Sequence, residues 1–160
     1  MRKIPRPHWM TLAAVGSYIV ALDQATKELV RSTLSPGEDL HLAGTFSIEP
    51  FRNPGIAGGG LAGNAVPMSV LATLAVAALL VFLARVGTLD RPVLVGFGLV
   101  IGGGVGNLVD RLRLGYVTDF ILHGNNAFNL ADVAILVGTL LILVGLVASL
   151  ARPRLRAVRP

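Results

Sequence analysis

Four long apolar stretches alternate with shorter polar segments along this 160-residue chain. The first is charge-free from Trp9 to Leu22 and continues through Asp23 towards Val30, and the other three are uncharged over nearly their whole length. Because about 20 mostly apolar residues suffice to cross a bilayer, each stretch predicts a transmembrane helix. The predicted spans are residues 9–30, 66–84, 92–109 and 132–151.

The composition supports a membrane protein. Hydrophobic residues make up 53% of the chain and charged residues only 14%, and the mean hydropathy is +0.70. Soluble domains usually carry about 25% charged residues, so the deficit is large. The chain has no cysteine, which excludes disulfides, thiolate nucleophiles and cysteine-ligated metals.

The basic residues predict the orientation of the four spans. Nine of the 14 fall on one side: three before span one, two between spans two and three, and four after span four (Arg2, Lys3, Arg6, Arg85, Arg91, Arg152, Arg154, Arg156 and Arg159). Positive charge marks the cytoplasmic side, so both termini, including the basic tail 152–160, are expected in the cytoplasm. The net charge of +5 is therefore interpreted as topological, and no nucleic-acid partner is expected.

The basic start followed by an apolar run also resembles a secretory signal peptide. The run meets Asp23 and Lys27 rather than a clear small-residue cleavage site, and loss of the first span would spoil the charge balance. Retention of this segment as a span is the favoured interpretation.

Two segments are expected outside the membrane, namely residues 36–65 and 111–131. The first is rich in glycine and proline and predicts a few short strands and turns at the outer surface. Span three ends in a glycine-rich stretch, Gly102 to Gly106, for which close helix packing is the favoured interpretation.

Polar side chains gather at the outer ends of the predicted spans, whereas chance would scatter them over both faces. They are Asp23, Asn53, Asn107, Asp110, Arg111, Asp119, Asn129 and Asp132. Each has a simple structural explanation: Asp132 suits a helix N-terminus, Asn129 suits an N-cap, and Asp23 and Lys27 suit an i,i+4 pair. Those explanations do not say why Asp119 and Asp132 both lie beside the membrane without a basic residue between them.

A pair of carboxylates is the chemistry that this cluster favours. It contains no serine nucleophile, and the three histidines are scattered, so a histidine-based metal site is weakly supported. Two aspartates within hydrogen-bond reach share a proton, so one activates water and the other acts as an acid. No metal or other cofactor is expected.

Five short motifs occur in order between Asp23 and Asp132, and together they resemble those of the lipoprotein signal peptidases, or signal peptidase II. They read DQATK from Asp23, RNPG from Arg52, GNLVDR from Gly106, GYVTDF from Gly115 and FNLAD from Phe128. Each motif alone is weak, but the ordered set together with four spans is specific.

The resemblance implies a fold, a reaction and a site. The fold is an all-α membrane protein of four transmembrane helices with a small extracytoplasmic β-structure, in one domain. The reaction is aspartic cleavage of a signal peptide just before a diacylglyceryl-modified cysteine. Asp119 and Asp132 correspond to the catalytic pair, and the supporting or substrate-binding residues are Asp23, Asn53, Gly55, Asn107, Arg111 and Asn129. Asp110 is interpreted as structural.

The resemblance also implies partners and a location. The partners are a diacylglyceryl-prolipoprotein substrate, membrane lipids and globomycin-type inhibitors, and the protein is expected to be a monomer. It should lie in the bacterial cytoplasmic (inner) membrane with its active site at the outer leaflet. Two features depart from the family pattern: IAGGG after Gly55 lacks the usual aromatic residue, and only 13 positions separate the aspartates.

Two other classes of function remain open at this point. A small ion or proton carrier would use intramembrane carboxylates as relays, although relays usually lie near mid-membrane or on both sides. A structural subunit of a larger complex would use the polar groups to hold helices together.

Overall fold

A computed structural model of the protein describes residues 6–55, 65–86 and 89–157. The predictions that concern Arg2, Lys3, Ile56–Gly60 and Arg159 lie outside these residues. Within them, the elements in chain order are α1 (Arg6–Thr33), β1 (Leu40–Ala43), β2 (Phe46–Asn53), α2 (Ala65–Arg85), α3 (Arg91–Leu114), β3 (Val117–His123), β4 (Asn126–Phe128) and α4 (Leu130–Ala157).

Three of the four helices are long and apolar enough to cross a membrane: Val66–Arg85, Arg91–Leu114 and Leu130–Ser149. Large apolar side chains of α2 and α4, such as Leu71, Leu74, Leu136 and Val147, are exposed. An apolar surface of this extent is unfavourable in water and is typical of a lipid-facing one. Helix α1 does not meet the same criterion, because its second half carries Asp23, Gln24 and Lys27.

Helix α3 is central and packs against both α1 and α4. A Cβ atom added to Gly102 would lie 2.8 Å from the Gly16 carbonyl oxygen of α1, and one added to Gly96 would lie 2.7 Å from the Gly138 carbonyl oxygen of α4. The glycines therefore let three backbones approach more closely than alanine would allow. The predicted packing role of the glycine-rich stretch is confirmed.

The four strands form an antiparallel sheet in the order β1-β2-β3-β4. In the chain, β1 and β2 follow α1, and β3 and β4 follow α3. Both segments predicted outside the membrane contribute to it: residues 36–65 provide the predicted short strands β1 and β2, and residues 111–131 provide β3 and β4. Phe51 pairs with Asp119 and Asn53 pairs with Val117. The sheet thus brings Asn53 next to the strand that carries Asp119.

The helical core has an apolar part and a polar part. Leu12, Leu83, Val93, Leu94 and Phe97 form the buried apolar cluster near the start of α3. Near the end of α3, the buried side chains are instead polar or charged, and they include Asp23, Lys27, Asn107 and Asp110. Buried charges are costly unless they are paired, so this polar end requires a specific arrangement.

Candidate active site

Helix α3 ends with a turn that leads the chain directly into the strand of Asp119. Gly115 adopts a left-handed conformation, with φ of 80°, and its N–H donates to the Arg111 carbonyl oxygen at 3.1 Å. Glycine is the usual residue at this position of a helix end because it has no Cβ penalty. Strand β3 therefore begins beside the last turns of α3, which carry Asn107 and Arg111.

Helix α4 begins with a reciprocal cap made by Asn129 and Asp132. The Asn129 Oδ1 accepts the Asp132 backbone N–H at 3.0 Å, and the Asp132 Oδ2 accepts the Asn129 backbone N–H at 3.1 Å. This is the arrangement of a capping box, in which two otherwise unsatisfied donors are bonded. The N-cap explanation for Asn129 is confirmed, and the same cap fixes the Asp132 carboxylate.

Asp119 accepts one amide hydrogen bond at each carboxylate oxygen. Asn129 Nδ2 donates to Oδ1 at 2.7 Å, and Asn53 Nδ2 donates to Oδ2 at 2.9 Å. The residue is only 1% exposed. Since Asn129 also caps Asp132, a single asparagine side chain connects the two aspartates.

Asp132 is the more accessible of the two aspartates, and Asn107 fixes its second oxygen. Asn107 Nδ2 donates to the Asp132 Oδ1 at 2.8 Å. The Asn107 Oδ1 in turn accepts from Asn129 Nδ2 at 3.0 Å and from Lys27 Nζ at 2.9 Å. These bonds leave no freedom to exchange the amide oxygen and nitrogen of Asn107.

Burial raises the pKa of Asp119 to about 6. The negative charge of Asp132 raises the pKa further, whereas the hydrogen bonds from Asn53 and Asn129 lower it. A carboxyl group that titrates near neutral pH can hold a proton and give it up, as acid–base catalysis requires. The Asp132 carboxylate lies nearby, and two neighbouring carboxyl groups tend to share one proton because both cannot easily ionise.

A buried ionic cluster lies behind the aspartates. Lys27 Nζ lies 2.9 Å from Asp23 Oδ2 and 3.3 Å from Asp110 Oδ2, and all three side chains are at most 1% exposed. The Asp23 Oδ1 accepts the Ala131 backbone N–H at 3.0 Å, and the Asp110 Oδ2 accepts the Thr118 N–H at 2.8 Å. The cluster thereby ties α1 and α3 to the starts of α4 and β3, next to Asp132 and Asp119.

Two glycines permit this geometry. A Cβ atom on Gly106 would lie 2.6 Å from Asp23 Oδ2, so any side chain there would displace the ionic cluster. The buried Gly55 donates its N–H to Asn53 Oδ1 at 3.1 Å, which leaves the Asn53 amide nitrogen directed at Asp119.

Arg111 provides positive charge on the other side of the aspartates. Its Nη1 lies 3.4 Å from the Asn107 carbonyl oxygen, and its charge interacts with Asp132 and Asp119. Arg111 also lines a cavity of about 460 Å³ whose remaining wall is mainly apolar; that wall comprises Val66, Ser69, Val70, Thr73, Leu74 and Leu112. The arginine whose charge interacts with both aspartates therefore also borders a mainly apolar cavity.

The structure brings all the candidate residues together. Asp119 and Asp132 share Asn129, while Asn53, Asn107, Asn129 and Asp23 bond directly to a carboxylate or to its neighbours. The i,i+4 pair of Asp23 and Lys27 is confirmed. Asp110 pairs with Lys27, in line with a structural role.

Sequence reasoning missed three residues that support the site. Lys27 was seen only as the partner of Asp23, although it also binds Asp110 and Asn107. Gln24 donates to Asp23, Asp110 and the Gly106 carbonyl oxygen, and Thr118 binds Asp110 through its backbone. The available signal was their position inside the motifs: Gln24 and Lys27 lie in DQATK, and Thr118 lies in GYVTDF.

The chain is similar in sequence to the members of one protein family. The family model described as Signal peptidase (SPase) II matches residues 15–148. Among curated relatives, the lipoprotein signal peptidase of Moorella thermoacetica is 40% identical over 136 residues, covering 83% of this chain and 90% of that protein. The lipoprotein signal peptidase of Geobacter metallireducens is 35% identical over 151 residues, covering 89% and 93%.

Two solved structures, both titled as bacterial membrane enzymes determined by the in meso method, are also similar. The 2.3 Å structure matches with a TM-score of 0.80 and 26% identity, covering 89% of this chain and 90% of that one. The 1.9 Å structure matches with a TM-score of 0.77 and 27% identity, covering 85% and 92%. The fold is therefore shared over nearly the whole chain.

Proposed function

Because the chain belongs to the signal peptidase II family, we propose that it is an aspartic endopeptidase that removes the signal peptide from diacylglyceryl-modified prolipoproteins. It cuts just before the lipidated cysteine. The observation that carries the aspartic assignment is the bridge through Asn129 between the buried Asp119 and the helix-capping Asp132. The comparisons lend no support to an ion carrier or a structural subunit.

The proposed mechanism divides acid and base roles between the aspartates. Asp119 holds the shared proton, since burial favours its neutral form. Asp132 takes a proton from a water molecule as the water oxygen attacks the scissile carbonyl carbon, and Asp119 protonates the carbonyl oxygen. Collapse of the resulting diol breaks the C–N bond: one diol hydroxyl returns its proton to Asp119, and the proton on Asp132 passes to the leaving amine.

The supporting residues hold this pair in place. Asn53, Asn107 and Asn129 each donate to a catalytic carboxylate, and Gly55 orients Asn53. Asp23 holds the start of α4 through Ala131. The chemistry requires no metal or other cofactor.

The cavity beside Arg111 is the proposed site of the diacylglyceryl group. Its wall is mainly apolar, as a lipid chain requires, and it includes Arg111, whose charge interacts with both aspartates. Burial of lipid contributes about 0.8 kcal/mol per CH₂ group, so two acyl chains anchor the peptide firmly. Anchoring holds the scissile bond at the catalytic carboxyls and replaces a dilute encounter with a positioned one.

The topology belongs to the same proposal. Helix α1 is a fourth span, because 28 residues extend about 42 Å and two of its charged residues, Asp23 and Lys27, are fully buried against α3. The exposed Glu28 lies near the outer end of this span and pairs with Arg31. The spans are 9–30, 66–84, 92–109 and 132–151, and the chain forms one peptidase domain. Both termini and the tail 152–160 are cytoplasmic, while segments 36–65 and 111–131 and the active site lie at the outer leaflet of the inner membrane. The protein acts as a monomer and binds globomycin-type inhibitors.

The experiment that tests the dyad replaces one carboxylate at a time. Asp119→Asn and Asp132→Asn should each lower turnover of a lipid-modified precursor by at least about 10²–10⁴-fold, the usual worth of general acid–base help. Both variants should still insert into the membrane, and at least one should still bind globomycin. Asp39→Asn, at an exposed position away from the site, is the matched control and should retain turnover. Near-normal cleavage by either dyad variant would exclude the mechanism.

A further inference from the structure

A second cavity, with both polar and apolar residues in its wall, lies against strands β2 and β3. It has a volume of about 220 Å³ and is lined by Arg31, Leu34, Pro36, Pro50, Phe51, Arg52, Tyr116 and Thr118. Arg52 pairs with Thr118 across β2 and β3, and Phe51 pairs with Asp119. Because successive strand residues point to opposite faces, Arg52 and Thr118 face away from the catalytic carboxylate.

The polar groups of this cavity suit an anion. Arg31 Nη1 donates to the Thr118 hydroxyl at 2.7 Å, so that hydroxyl accepts from Arg31 and keeps its own hydrogen for another acceptor. Thr118 is only 2% exposed, and Tyr116, which also carries a hydroxyl group, lines the cavity as well. Two guanidinium groups and two hydroxyl groups are the donors that recognise phosphate oxygens.

Arg52 is the cation with the greatest capacity for a new partner. Its guanidinium lies over the Tyr116 ring, 5.2 Å from the ring centre, and no carboxylate within the described residues forms an ion pair with it. Arg31 already pairs with Glu28 at 2.8 Å. Asp110 also lies 3.8 Å from Arg31 and shares Lys27 with Asp23, so Arg31 is committed to carboxylates. An arriving anion would therefore pair with Arg52.

The depth of the cavity indicates where the anion comes from. Arg31 follows Asp23 by eight residues, which places it about 12 Å further along α1 in the outward direction. Helix α1 is about as long as a bilayer including its headgroups, so its last turn lies at headgroup level. Apolar residues Leu34 and Phe51 line the same cavity, as suits a group attached to a lipid.

We propose that the cavity formed by Arg31, Arg52, Tyr116 and Thr118 binds the phosphate group of an anionic phospholipid of the outer leaflet. The proposal rests on the membrane orientation given above and not on the peptidase activity. A lipid held there would press β2 and β3 against the membrane surface and so steady the strand that carries Asp119. A zwitterionic headgroup would be disfavoured, because it brings a second cation close to Arg52.

The test measures lipid binding by the full-length protein in neutral detergent. Phosphatidylglycerol, phosphatidylcholine and inorganic phosphate are titrated separately while the melting temperature is followed. Phosphatidylglycerol should raise the melting temperature saturably, and the other two should do so only at concentrations at least tenfold higher. Arg52→Gln should require at least tenfold more phosphatidylglycerol for the same rise.

The matched control is Arg113→Gln, which removes one positive charge at an exposed position near the end of α3 and outside the cavity. It should respond to phosphatidylglycerol within twofold of the wild type. An equal loss in both variants would show diffuse attraction to charge and overturn the proposal. An equal response to inorganic phosphate would overturn the lipid as the source of the anion. Because the measurement is binding, neither result depends on cleavage.

Discussion

Replacement of Asp119 by asparagine should change how the stability of the protein depends on pH. The pKa of Asp119 is raised from 3.8 to about 6, so between these values the folded protein binds a proton that the unfolded chain has released. Stability therefore falls as the pH rises through this range, and the loss is complete above about pH 6. The full effect is about 3 kcal/mol, of which about 2 kcal/mol is regained at pH 4.5.

The asparagine variant lacks this titration but has its own cost. Asn53 and Asn129 both direct amide nitrogens at residue 119, so the new amide nitrogen would face a donor. The amide group of Asn53 cannot rotate to present its oxygen without losing the hydrogen bond from the Gly55 N–H. The amide group of Asn129 likewise cannot rotate without losing the hydrogen bond from the Asp132 N–H. One unsatisfied donor costs about 1–3 kcal/mol. The variant should thus be less stable than the wild type at pH 4.5 and close to it at pH 8.

The assay is reversible unfolding of both proteins in the same detergent at pH 4.5 and pH 8. The stability difference between wild type and Asp119→Asn should shrink by about 2 kcal/mol as the pH is raised. The exposed Asp39→Asn variant is the control for replacing an aspartate by asparagine at a position that makes no contact in the site. A wild-type advantage over Asp119→Asn that is the same at both pH values would refute the raised pKa.

Three further predictions follow from the site and the proposed topology. Lys27→Met should destabilise the protein by about 3–5 kcal/mol, because it leaves Asp23 buried without a counter-charge and Asp110 with only Arg31, 3.8 Å away. Thermal unfolding measures this, and a change below about 1 kcal/mol would contradict it. The kcat/KM for a lipid-modified precursor should fall about tenfold per pH unit above an apparent pKa near 6, because the pair of aspartates then loses its shared proton. A kcat/KM that stays constant up to about pH 9 would exclude this titration. Reporters fused after Ala151 or between Arg85 and Arg91 should report the cytoplasm and one near Glu38 the outside, and the reverse pattern would put the site on the wrong leaflet.

The helices were predictable because membrane helices leave a direct signal in sequence, namely long runs of apolar residues bounded by charges. The strands β3 and β4 were not predicted, although β1 and β2 were expected in outline. Strand β3 pairs with residues 46–53, about 70 positions earlier, and such pairing leaves little local trace. Its turn at Gly124, with φ of 57°, is the one local signal in that segment.

The convergence of the site was predictable from topology, whereas its internal bonding was not. Alternating spans placed Asp119 and Asp132 at the same face, and the motifs singled out the asparagines. The role of Asn129 as a bridge depends on how α4 and β3 meet, and the contact of Lys27 with Asn107 joins residues 80 positions apart. No sequence period reports such contacts.

Cleavage of two forms of one precursor tests the proposed activity most directly. The purified protein is incubated with a prolipoprotein that carries the diacylglyceryl group and with the same precursor lacking it, and the products are identified by mass spectrometry. Because the lipid positions the scissile bond at Asp119 and Asp132, the modified precursor should be cut just before its lipidated cysteine and the unmodified one little or not at all. Equal cleavage of the two forms, or no cleavage of the modified one, would contradict the proposed function.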